Sequence, residues 1–69
     1  MTQGTVKWFN GQRGFGFIQP DRVGRDVLVH ISAVERAGMH SLKPGQRLSY
    51  EVTVESKTGT CSADDLHAA

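Results

Sequence analysis

Disulfides, metal clusters, long hydrophobic runs and strong net charge are all missing from this 69-residue chain. The one cysteine, Cys61, has no internal partner, and the histidines at 30, 40 and 67 have no spacing that resembles a zinc site. Chains this short often rely on such staples. Without them the apolar core must supply the whole stability, roughly 3 to 10 kcal/mol at ~0.05–0.15 kcal/mol per residue. A reducing compartment is the expected setting. No apolar run approaches the ~20 residues of a membrane span, and the N-terminus lacks the zones of a signal peptide, so a cytoplasmic location is expected. The formal charge is only +1, with a surplus of +2 in residues 1–30 and −1 in residues 31–69. A polyanion should therefore favour the N-terminal half.

Helical periodicity is nearly absent as well. Turn signals recur at short intervals: Asn10-Gly11, Pro20-Asp21 through Gly24, Gly38, Pro44-Gly45 and Thr58-Gly59. Between them lie five β-prone runs, at approximately 4–9, 14–19, 26–31, 46–55 and 60–66. Ser32-Ala33-Val34-Glu35 fits a capping box, with Gly38 as a stop, and predicts a single helical turn. Five short antiparallel strands must hide their edges. In so small a chain the economical solution is an all-β, five-stranded antiparallel barrel of the OB type, one domain over residues 1–69 with one short helical turn.

Four of the five aromatics, Trp8, Phe9, Phe15 and Phe17, fall within ten residues, interleaved with Lys7 and Arg13. Strand alternation puts Phe15 and Phe17 on one side and Gly16 and Ile18 on the other. Were the phenyl rings inside, a domain short of apolar mass would leave Ile18 in water; with Ile18 inside, the rings face out. Gly14 and Gly16 weaken a strand and leave its neighbours uncrowded, a cost that suggests a use. Unpaired bases stack on exposed rings for ~1–3 kcal/mol each, and phosphates seek nearby cations. The competing account is a barrel core with incidental aromatics. In residues 26–31 Val27 and Val29 share one side and Leu28 and His30 the other, which places the His30 ring on the open side, able to stack on a base or donate to a phosphate.

Lys7-Trp8-Phe9-Asn10, Arg13-Gly14-Phe15-Gly16-Phe17-Ile18 and Val27-Leu28-Val29-His30-Ile31-Ser32-Ala33 resemble the bacterial cold-shock domain over essentially the whole chain. The 13–18 block resembles the first ribonucleoprotein motif and 27–31 the second. That order, without two helices, disfavours an RRM. The resemblance implies an OB-type barrel that binds single-stranded RNA and DNA through Lys7, Trp8, Arg13, Phe15, Phe17 and His30. Phe9, Asn10 and Asp26 are implied as supporting contacts, and Lys57 as a basic group near the ligand. Trp8 has the parity of Val6, a core candidate, so its implied exposure requires a local twist or bulge. Leu28, Ile31 and Met39 stand at implied binding positions where the family commonly has aromatics, which predicts weaker binding. Asp64-Asp65 adds negative charge where the family tends to have small or amide residues.

Nothing in the spacing assembles a nucleophile with its base, and alternation sends Asp64 and Asp65 to opposite faces, so no enzymatic activity, cofactor or small-molecule substrate is expected. The 11–16 stretch lacks the Gly-Lys-Ser/Thr of a phosphate loop and leads into a strand. The implied activity is that of an ATP-independent RNA chaperone with roles in transcription antitermination and translation. An adaptor binding a protein or oligosaccharide through the same face is the alternative. A monomer is expected, with strand exchange between protomers as the other arrangement.

Overall fold

A computed structural model of the chain describes residues 2–22 and 24–69. Five strands, β1 (Thr2–Asn10), β2 (Phe15–Pro20), β3 (Val27–His30), β4 (Arg47–Val54) and β5 (Cys61–Ala68), close a barrel in the order β1-β2-β3-β5-β4. All neighbours are antiparallel except β3 and β5, which run parallel where Leu28 meets Ser62. That junction converts an antiparallel sheet into a closed one and removes the edges that so short a sheet would otherwise expose.

The inward positions are Val6, Ile18, Val27, Val29, Leu48, Tyr50, Ala63 and Leu66, joined by Leu42. A six-residue helix, α1 (Ile31–Arg36), adds Ala33 and Val34 to this core. Its beginning differs from the expected capping box. The N-cap is His30, without a side-chain cap bond, and Ser32 lies inside the helix, because β3 runs into α1 without a turn. Its end is the expected glycine stop. Gly38 has φ +78°, its N–H donates to the Glu35 carbonyl, and the Met39 N–H reaches back to Val34.

Two bulges decide which side chains face out. Lys7 is an extra residue in β1, because Val6 pairs with Ile18 while Trp8 pairs with Phe17. In β5, Asp64 pairs with Glu51 and His67 with Ser49, so three steps along β5 match two along β4. Asp65 takes up the difference in the left-handed region, at φ 51°. Core parity is thereby kept at both Ala63 and Leu66, and Asp64 and Asp65 both lie outside the barrel wall. The expectation that simple alternation divides these two carboxylates between faces fails for this reason.

Candidate nucleic-acid interface

On the outer side of β1–β2–β3 the pairing register lays residues in two rows. Trp8, Phe17 and Leu28 form one; Asn10, Phe15 and His30 form the other. Adjacent strands lie only ~4.8 Å apart, so side chains in such rows touch. Trp8 sits 5.5 Å from Phe15 and 5.4 Å from Phe17, centroid to centroid, and the two phenyl rings are 6.3 Å apart, all three pairs edge to face. Each ring thus steadies the others without covering their outer surfaces. Trp8 is 41% exposed, Phe15 and Phe17 are half-buried, and His30 is exposed beside them. The β1 bulge is what brings Trp8 here; without Lys7 as the extra residue the indole would follow Val6 inward.

Gly16 serves this arrangement from the inside. A Cβ there would collide with the Trp8 carbonyl and stand 2.7 Å from Phe9 Cα, so glycine allows β1 and β2 to approach beneath the rings. Its role is strand packing and not the clearing of space for a ligand. Gly14, at φ +80°, ends the β1–β2 turn, and its carbonyl accepts the Ile31 N–H at 2.8 Å, tying the turn to α1.

Polar groups frame the rings. Lys7 Nζ is 2.9 Å from Asp26 Oδ2, which fixes the ammonium beside the start of β3 and compensates part of its charge. Asn10 Oδ1 accepts from the backbone N–H groups of Gln12 and Arg13 at 3.0 and 3.1 Å, holding the turn that presents the Arg13 cation. Lys57 is exposed in the β4–β5 loop, which is closed by the Gly59 N–H on the Glu55 carbonyl and by the Glu55 N–H on Thr60. That loop borders a 230 Å³ hollow between Leu28, His30, Glu55 and Thr58, so it adjoins the outer rows.

Three residues at implied binding positions lie differently. Phe9 is half-buried against the core, on the side opposite Trp8, and Ile31 and Met39 also pack against the core. Leu28, by contrast, continues the Trp8–Phe17 row outward. Sequence reasoning missed the continuation of that row. Beyond Leu28 come Ser62 and Thr53, which border a second hollow of 180 Å³ together with His30, Arg36 and Asp64. Only the parallel β3–β5 junction brings them there, and no local pattern signals it.

Comparison with known proteins gives the arrangement its context. The sequence profile described as the "'Cold-shock' DNA-binding domain" matches residues 2–68. The chain is 62% identical to "Probable cold shock protein y4cH" of Sinorhizobium fredii over 68 residues, 99% of each chain. It is 59% identical to "Cold shock protein CspA" of Rhizobium meliloti over the full length of both. To "Cold shock protein CspC" of Bacillus subtilis it is 54% identical over 52 residues, 75% of this chain and 77% of that one. Outward aromatic rows, a closed five-stranded barrel and a match along nearly every residue agree: the chain belongs to the cold-shock domain family of nucleic-acid-binding proteins.

Proposed function

We propose that this protein is a non-enzymatic binder of single-stranded RNA and DNA that acts as an ATP-independent RNA chaperone, with consequences for transcription antitermination and translation. The observation that carries the reading is the open triad of Trp8, Phe15 and Phe17 on one face. Unpaired bases can stack there, whereas a duplex hides its base faces. Binding only the melted strand lowers its free energy relative to a hairpin by mass action, without a chemical step. Lys7, Arg13 and Lys57 supply charge for the backbone; Asp26 accepts from the Lys7 ammonium, and Asn10 holds the Arg13 main chain in the turn. A cytoplasmic monomer fits this role, since each chain carries the whole face.

The test is a titration of a heptauridylate, followed by Trp8 fluorescence at several salt concentrations, with melting of a weak RNA hairpin in parallel. Three phosphate contacts at ~0.7 per contact predict a slope of about −2 in log K against log salt. A lowered melting temperature of the hairpin, without ATP, should accompany it. An aromatic face that binds protein or sugar instead would show no quenching by the oligonucleotide and little response to salt.

A further inference from the structure

The outer row that begins at Trp8 does not stop at the rings. Pairing carries it through Leu28 to Ser62 and Thr53, and next to them along β5 and on α1 stand Asp64 and Arg36. Arg36 Nη1 lies 3.6 Å from Asp64 Oδ1, and both side chains are substantially exposed. The same Oδ1 accepts the Asp65 N–H at 2.9 Å, while Oδ2 has no hydrogen bond among the described residues. Asp64 and Arg36 line this hollow together with Thr53 and Ser62, so a carboxylate with one unbonded oxygen stands beside a guanidinium and two hydroxyl-bearing side chains. A carboxylate is a poor partner for a phosphate, so this pair is suited to a base edge and not to the backbone.

Bases differ in how they meet such a pair. Cytosine presents an amino group next to ring and carbonyl acceptors, so Asp64 can accept from the amine while Arg36 donates to the acceptors. Uracil, of nearly the same shape and stacking surface, places a carbonyl oxygen where the amine would be, opposite the carboxylate. We propose that the hollow beside His30 is a base-reading subsite in which Asp64 and Arg36 select an amino-bearing pyrimidine over uracil or thymine. The proposal rests on the single-strand-binding reading given above and adds a sequence preference to it.

The experiment uses heptauridylate and seven variants carrying one cytosine at each position in turn, bound to the full chain and to Asp64→Asn. A bidentate contact discriminates by ~1–3 kcal/mol, and for a half-exposed pair the low end applies, about 5- to 10-fold. One cytosine position should bind about that much tighter than uridine. Asp64→Asn should abolish or reverse the preference, because an amide can donate to the uracil carbonyl. Its binding of unsubstituted heptauridylate should be retained or strengthened, which also reports that the variant is folded. Equal binding of all eight oligonucleotides by the unaltered protein overturns the subsite and leaves single-strand binding standing. A cytosine preference that survives in Asp64→Asn overturns the assignment to Asp64. Failure to bind any of the eight overturns both readings.

Discussion

Replacing Phe15 and Phe17 together with leucine separates the stacking surface from the apolar volume beneath it. Two platforms at ~1–3 kcal/mol per base would give a loss of roughly 2–6 kcal/mol, but leucine keeps part of the contact, so the low end of that range applies. About 2–3 kcal/mol corresponds to a 30- to 150-fold weaker Kd. Stability must be counted as well, because the rings are not free-standing. All three edge-to-face contacts of the triad include Phe15 or Phe17. At ~0.5–1.5 kcal/mol each their combined loss is roughly 1.5–4.5 kcal/mol, a large share of what a domain this small possesses. Exposed rings alone would suggest a nearly neutral double change; the triad geometry does not. Alanine at both sites would risk confusing unfolding with lost binding, which is why leucine is the better probe. Anisotropy of a labelled heptauridylate, measured well below the midpoint of a circular-dichroism melt, gives the affinity without relying on the altered Trp8 environment. A folded Phe15→Leu/Phe17→Leu protein that binds within about twofold of the unaltered chain would refute the role assigned to the rings.

Leu28→Phe should tighten heptauridylate binding by roughly 5- to 150-fold, the equivalent of ~1–3 kcal/mol, since Leu28 already lies in the outer row beside Phe17. Ile31→Phe and Met39→Phe should gain less and lower the melting temperature, because both native side chains pack against the core; equal gains at all three positions in the same titration would contradict this placement. Tyr50→Phe should raise the melting temperature. The Tyr50 side chain is 0% exposed and its hydroxyl has no partner among the described residues, a deficit of ~1–3 kcal/mol where unrelieved, and each kcal/mol moves a small domain by roughly 4–8 °C. Burial, and secondarily the Asp21 charge, push the Tyr50 phenol above its ordinary value of 10.0. The unfolded chain therefore releases that proton first, and stability should fall as pH rises above about 10 in the unaltered protein but less so in Tyr50→Phe. At the acid end, the hydrogen bonds from Arg47, one of them 2.7 Å from Nη2 to Oδ2, hold the Asp21 carboxyl below its ordinary 3.8. That contribution is present above the unfolded value and is lost as pH falls through the folded one, so Asp21→Asn should flatten the acid limb of a pH-melting profile without changing heptauridylate binding.

Alternation of side chains was enough to read the middle of the site. Phe15, Phe17, Leu28 and His30 face outward, and Ile18, Val27 and Val29 inward, because β2 and β3 pair without interruption and their two faces meet opposite solvents. Parity fails wherever one strand carries an extra residue. At Lys7 the failure could be foreseen, since a tryptophan with core parity among cations conflicts with the resemblance and demands a bulge. At Asp65 it could not, since aspartate tolerates the left-handed region without a glycine to mark it. The helix start was misread for a related reason. Ser32 and Glu35 have capping-box spacing, but capping is a device for chains entering a helix from a turn, and here a strand enters directly, leaving Ser32 inside the first turn. Least legible was the neighbourhood of His30. Ser62, Thr53, Asp64 and Arg36 come from three elements, and they are brought beside Leu28 and His30 by a parallel junction at Leu28–Ser62 that no short-range pattern encodes. Local rules thus suffice for the outward aromatic rows, on which the proposed single-strand binding rests. The proposed selectivity among bases, in contrast, depends on how the barrel closes, because closure brings the Asp64 carboxylate to the end of those rows, beside the Arg36 guanidinium.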